Sequence, residues 1–182
     1  MKTKTTTFGI CLIGVLIALG IVLSAMVPIK VIGDIKIDLS YLVIVVICYL
    51  FGGIVGGLSA ALIALLESMI FSSYGISISW ICANLVIGLG SGLVMQFGKA
   101  NKTGWKVAMD LSAIILSCAI GLLLIKTAIE CKLYSIPWEV KIIKNAVAFG
   151  MDTACMVVGY LFFLPKILTK SKVENKLLKE VD

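Results

Sequence analysis

The chain is 182 residues long, 60% apolar and only 14% charged, against roughly 25% charged and 45–50% apolar residues in a soluble domain. A soluble protein this short has more surface than so few charges can cover, so the composition excludes an ordinary soluble enzyme and points to lipid as the solvent. The net charge of +6 rests on 16 lysines, with no arginine and no histidine; most of the lysines sit in loops and tails between apolar runs, a pattern of membrane topology and not of a nucleic-acid surface.

In chain order, Lys2 and Lys4 precede an apolar run from Phe8 to Val27. The run is long enough to span about 30 Å of hydrocarbon and exceeds the apolar core of a secretory signal, and no small-x-small cleavage site follows it. It is read as a retained helix 1, about Thr7–Met26. The connection Pro28–Asp38, with Gly33-Asp34 at its centre, alternates apolar with polar residues on both flanks, as a short hairpin or cap on the membrane surface would. From Leu39 to Ser73 the only charge is Glu67. As one helix that stretch would be roughly 50 Å long, too long for one crossing. The glycine pairs Gly52-Gly53 and Gly56-Gly57 mark the break, giving helix 2 about Leu39–Phe51 and helix 3 about Val55–Ser72. After the turn Ser73-Tyr74-Gly75 comes helix 4, about Ile78–Phe97, then a basic loop, Lys99–Lys106. Helix 5 is about Val107–Ile125, followed by a polar link Lys126–Glu139 containing Pro137. Helix 6 is about Val140–Leu164 and ends at Pro165. The expected fold class is an all-α membrane protein with six transmembrane helices. Residues 1–170 form one membrane domain, and 171–182 form a charged cytoplasmic tail.

Six crossings put both termini on one side. Lys2, Lys4, Lys99, Lys102, Lys106, Lys166, Lys170, Lys172, Lys176 and Lys179 fall on that side, and Lys30, Lys36, Lys126, Lys132, Lys141 and Lys144 on the other. The excess places the N and C termini in the cytoplasm. The cysteines Cys11, Cys48, Cys82, Cys118, Cys131 and Cys155 form no C-x-x-C pair and read as small reduced hydrophobes. Without histidine no metal or haem site is expected, and no cofactor is implied.

Ionisable and amide groups within a bilayer are costly and face the protein interior. Here they are Glu67, Asn84, Asn145 and Asp152, with Lys126, Lys141 and Lys144 at helix ends, and most fall in the outer half. Lys141, Asn145, Ala148 and Asp152 share one stripe of helix 6; Asn84, Gly88 and Gly92 share one of helix 4. Tyr41, Tyr74, Trp80, Tyr134 and Trp138 lie on the same side. Stacking faces beside a few fixed polar groups suit a small, flat, polar solute, and two lysines favour one carrying a carboxylate or phosphate. The plainer readings are an interfacial aromatic belt, snorkelling lysines, and Glu67 and Asp152 as paired packing residues. Gly14 and Ala18 make a small-xxx-small spacing on helix 1, repeated one face over by Gly20 and Ser24, which serves internal packing or a partner equally. No energy source is encoded. The stretch Gly92–Lys99 has five residues between its glycines and no Ser or Thr after the lysine, and so fails the phosphate-loop pattern.

Several segments together resemble the substrate-binding S component of energy-coupling factor (ECF) vitamin transporters, across Thr7 to about Lys170. They are Ile17–Ser24, Ile35–Ser40 leading into helix 2, Tyr49–Gly57 (similar to a Leu-Phe-Gly-Pro-x-x-Gly turn, with Gly53 in place of the proline), and the short link before Asn84–Gly88. The resemblance implies a six-helix S component in the bacterial plasma membrane with cytoplasmic ends. It implies a vitamin or related micronutrient bound near the outer face under the helix 1–2 loop, and ATP-driven import by a transmembrane T component and two ATPase subunits. Glu67, Trp80, Asn84, Lys126, Lys144 and Asn145 are then the expected substrate-binding residues, and Gly14 and Ala18 the partner interface. The identity of the solute does not carry over. The rival readings are a membrane-embedded enzyme subunit acting on a lipid, and a structural membrane protein.

Overall fold

The computed structural model describes residues 7–26, 30–32, 35–36, 38–71, 75–97, 104–135 and 137–169. Among the described residues there are six helices: α1 (Thr7–Met26), α2 (Ser40–Phe51), α3 (Gly53–Phe71), α4 (Ile78–Phe97), α5 (Gly104–Tyr134) and α6 (Trp138–Lys166, its winding continuing to Thr169). Strands β1 (Lys30–Ile32) and β2 (Ile35–Lys36) form an antiparallel hairpin between α1 and α2, with Lys30 opposite Lys36 and Ile32 opposite Ile35. The centre of that hairpin, Tyr74, Lys99, Lys102 and the tail 171–182 lie outside the described residues.

Five of the helices are long and apolar enough to cross a membrane; α2, at 12 residues, is the short one. At about 1.5 Å per residue it spans roughly 18 Å, well under the hydrocarbon thickness. It is apolar on every side and buries Tyr41 and Val43 through Cys48, so it is the central helix around which the others pack. Its end is a one-residue turn. Gly52 has φ 84°, in the left-handed region that glycine adopts without steric cost, and α3 starts at Gly53, two residues earlier than the glycine pairs suggested.

The remaining glycines of the pairs serve packing. A Cβ on Gly88 would stand 2.6 Å from the Gly56 carbonyl oxygen and 2.7 Å from Gly57 Cα, and one on Gly92 would stand 2.7 Å from Gly53 Cα. The α3 and α4 backbones therefore touch along a seam that only glycine allows. Across the neighbouring interfaces, Gly121 of α5 lies against Ala83 of α4, and Gly159 of α6 against Leu42 of α2.

Two expectations need correction. Helix 5 does not end near Ile125, and the polar link 126–139 is not a link. The chain stays helical to Tyr134 and turns only after it, with Ser135 at φ 51°. Lys126, Thr127 and Glu130 find partners on α4 and α6 inside the bundle, so their polarity does not break the helix. Nor does Pro165 end α6. A π-helical stretch, Gly159–Phe163, precedes it, and has already interrupted the regular hydrogen-bond ladder that a proline would break.

The bundle's two ends differ. At the Gly52 end, Tyr160 Oη donates to Asp110 Oδ2 at 2.7 Å, and Lys106 Nζ lies 5.0 Å from the centre of the Tyr49 ring. The hairpin end carries far more polar groups. α1 is the least embedded of the long helices. Gly20 and Ser24 face inward, a Cβ on Gly20 lying 3.0 Å from Ile63 Cδ1, whereas a Cβ on Gly14 would meet nothing within 4 Å. Ala18 is likewise exposed.

Gly88→Val is expected to force α3 from α4 at a cost of roughly 1–3 kcal/mol or more, seen as a lower unfolding temperature in detergent. Gly150→Ala, where a Cβ meets nothing within 4 Å, should leave that temperature unchanged. Equal effects of the two would refute the seam.

Candidate functional site

The polar groups at the hairpin end form two neighbouring sets. The first centres on Glu130 of α5. Its Oε2 lies 3.1 Å from Lys141 Nζ and accepts from Asn145 Nδ2 at 3.4 Å, both on α6. Its Oε1 accepts from Ser79 Oγ of α4 at 3.3 Å. Asn145 Nδ2 also donates to Thr127 Oγ1 at 2.9 Å, and the Thr127 hydroxyl donates to the Leu122 carbonyl at 3.3 Å. One carboxylate thus ties three helices together, with its charge answered by an ammonium group and two dipoles.

The second set has unspent capacity. Ser24 Oγ donates to Glu67 Oε1 at 2.6 Å, and the Ser40 backbone N–H donates to Asp38 Oδ1 at 2.9 Å. Beside them Asp152 of α6 is almost fully buried, with neither carboxylate oxygen in full hydrogen-bonding geometry; the Asp38 amide and the Lys126 ammonium are among its electrostatic neighbours. The Tyr41 hydroxyl is buried with no hydrogen-bond partner among the described residues, and the buried Ser40 hydroxyl lies beside the Asp38 carboxylate. Buried polar atoms cost free energy unless hydrogen-bonded, and the Asp152 and Tyr41 oxygens have no fully formed hydrogen bond among the described residues. Lys126 Nζ sits 4.4 Å from the centre of the Trp80 ring, whose edge meets Tyr41 at 6.3 Å between centroids. These two residues form an aromatic wall with a cation on it.

Each residue singled out in the sequence has a definite place. Trp80 and Lys126 touch and flank the second set, to which Glu67 belongs, and Asn145 belongs to the first. Asn84 is buried between the helices, its amide donating to the Trp80 carbonyl at 3.0 Å. Lys144 is not brought in: it is exposed on α6, and Lys141, one turn earlier, meets the carboxylate instead. The cations that suggested an anionic solute are thus accounted for, since Lys126 lies on Trp80, Lys141 pairs with Glu130, and Lys144 faces outward. Among the described residues, the buried groups at this end include four carboxylates, Asp38, Glu67, Glu130 and Asp152.

Asp38, Tyr41, Thr127 and Glu130 were not singled out as ligands. Their signal lay in spacing. No Gly or Pro interrupts residues 122–135, so a helix could carry Thr127 and Glu130 three residues apart on one face.

Asp38 lies outside the spanning helices. Burial first, and the Glu67 carboxylate second, push its carboxyl up to about 6, while hydrogen bonding to Ser40 works the other way. Between about pH 4 and pH 6 the folded chain holds a proton that the unfolded chain has released. Stability therefore falls as pH rises through that window and is flat above it. Asp38→Asn keeps an acceptor for the Ser40 N–H. It is expected to be more stable than the parent above about pH 6, by up to about 3 kcal/mol, and to lose that advantage toward pH 4. Thermal unfolding across that range checks it; a gain independent of pH would contradict the assignment.

Over residues 4–170 the chain matches the family described as "ECF-type riboflavin transporter, S component". No curated protein sequence matches it.

Proposed function

This chain belongs to the ECF-type riboflavin transporter S component family, and we propose that it binds riboflavin or a closely related uncharged flavin at the hairpin end for import driven by partner subunits. Membership makes it a multi-pass transport protein of the cell membrane and not an enzyme, which removes the lipid-modifying alternative. The observation that carries the substrate reading is the buried pair Asp152 and Tyr41, whose oxygens have no full hydrogen bond among the described residues, beside the Trp80–Lys126 wall.

A flavin presents a flat tricyclic face, an imide N–H between two carbonyls, and a polyol chain, without net charge. In this reading Asp152 accepts from the imide N–H, and the Lys126 ammonium donates to a neighbouring carbonyl. Trp80 and Tyr41 cover the ring, and the hydroxyls of Tyr41 and Ser40 meet remaining acceptors. The Glu130 network holds Asn145 and Thr127 behind the site and keeps α4, α5 and α6 in register. Glu67 and Asp38 face the hairpin and add negative charge, which disfavours a phosphorylated flavin. The hairpin end is the outer face in this reading, with both termini in the cytoplasm as the lysine distribution suggests.

Purified protein titrated with riboflavin should quench the flavin's fluorescence. Asp152→Asn and Lys126→Met should each weaken binding at least tenfold, which corresponds to about 1.4 kcal/mol. The phosphorylated flavin should bind at least tenfold more weakly than riboflavin, and Lys144→Ala should bind like the parent. The reading fails if riboflavin does not bind while another vitamin does, or if Asp152→Asn changes nothing.

With no phosphate-binding loop in the chain, energy must come from a T component and two ATPase subunits. Gly14 and Ala18, on the face of α1 turned away from the bundle, are the proposed contact. Ala18→Leu is expected to abolish co-purification with those subunits and uptake in cells while leaving riboflavin affinity unchanged. Loss of affinity in that variant, or uptake by this chain in a host lacking the subunits, would contradict the assignment.

A further inference from the structure

The midpoint of α5 is not an ordinary helix. Ala119–Lys126 is wound as a π-helix, and the burial pattern shows what the wider turn does. Upstream, Asp110, Ala113, Ile114, Ser117, Cys118, Gly121 and Leu122 are buried at the three- and four-residue steps of a regular helix. The next buried residues are Thr127 and Glu130, so the stripe takes a five-residue step from Leu122. Asp110 and Glu130 are twenty positions apart, about five and a half turns at 3.6 residues per turn. A regular helix would hold them on opposite sides, yet both face inward, at 0% and 8% exposure.

Packing energy does not account for this winding. Continued regularly from Gly121 and Leu122, the helix would turn Ile125, Ala128 and Ile129 into the bundle and Lys126, Thr127 and Glu130 toward lipid. An apolar face was available, and the wide turn exchanges it for a lysine, a threonine and a glutamate. Each of the three then makes a contact at the hairpin end: Lys126 with Trp80, Thr127 with Asn145, and Glu130 with Ser79, Asn145 and Lys141. The turn is also fixed in place. Gly121 at its start lies so close to α4 that a Cβ would be 2.9 Å from the Ala83 carbonyl oxygen. At its end the Thr127 hydroxyl reaches back five residues to the Leu122 carbonyl. Wide turns of this kind inside α-helices concentrate at functional sites.

We infer that the wide turn Ala119–Lys126 is a positioning element of the substrate site, rotating the outer third of α5 so that Lys126, Thr127 and Glu130 face the ligand and its supporting network. The inference rests on the flavin-binding reading for its ligand, and the register itself is tested without ligand. The test uses the full chain with Trp80 as its only tryptophan, Trp105 and Trp138 being exposed and replaced by Phe. Two variants of unchanged length are compared: Lys126→Ile, and the transplant Ile125→Lys/Lys126→Ile. In a regular helix position 125 faces the bundle; in the wide turn position 126 does. Lys126→Ile should shift the Trp80 emission and weaken riboflavin binding at least tenfold, and the transplant should restore neither. Recovery of the emission by a lysine at position 125, or no change on Lys126→Ile, overturns the inference. If the parent does not bind riboflavin, the functional reading fails, and the Trp80 emission still decides the register.

Discussion

Lipid answers no charge, so every charge placed inside this bundle must be met by another part of the bundle. Glu130 is where that constraint is discharged most completely. Its two oxygens take one ammonium group and two polar hydrogens from α4 and α6, and the polar stretch from Lys126 to Tyr134 can stay helical because of it. Removing one member of this partly buried pair strands the other, at a cost below the roughly 3–5 kcal/mol of a fully buried one. The network is thus more than decoration on a helical frame: it sets how α4, α5 and α6 approach one another at the hairpin end. Asp152 makes the contrast. It is as deeply buried, and among the described residues its carboxylate is not satisfied in the same way; that contrast is what supports Asp152 as the proposed ligand contact.

Close packing decides where these groups can gather. The glycine contacts of α3 with α4, of α5 with α4, and of α6 with α2 bring backbones together in the middle of the bundle and leave little room there. α2 is too short to fill the membrane's depth by itself, so above its first turn the surrounding helices enclose side chains and not a seventh helix. Asp38, Ser40 and Tyr41 at the start of α2, Glu67 near the end of α3, and Asp152 within α6 meet in that space. The short central helix and the polar end are two consequences of one arrangement.

Most of the fold was legible in the sequence because apolar length and glycine punctuation are strong signals. α1 and α4 lie where the apolar runs put them, the Gly52 break is real, and the alternating flanks of the hairpin pair as strands. What misled was charge. Lys126, Glu130 and Lys132 looked like a loop because, residue by residue, charges are expelled from lipid. Mutual satisfaction is a property of three helices and is invisible in any one of them. The same reasoning explains the site. Trp80, Lys126, Glu67 and Asn145 were visible as polar or aromatic residues at matching depth. Lys141, not Lys144, shares the stripe of Asn145 and Asp152, so that periodicity already favoured Lys141 for the interior, whereas Glu130 could not be assigned there without the π-helical turn. That turn has no sequence signature beyond a burial stripe that skips a residue, and the stripe is known only once the neighbours are.

α1 is the element on which binding and coupling would meet. Its inward face holds Ser24 against Glu67, in the carboxylate cluster under the hairpin, and Gly20 against Ile63 of α3. Its outward face carries Gly14 and Ala18, both exposed and small enough for another helix to approach closely. Two small-residue stripes one face apart looked redundant in the sequence; in three dimensions one is buried against the bundle and the other is exposed. α1 is also the least embedded of the long helices. The Ser24–Glu67 hydrogen bond is then the contact through which a change in the polar cluster would reach the outward face.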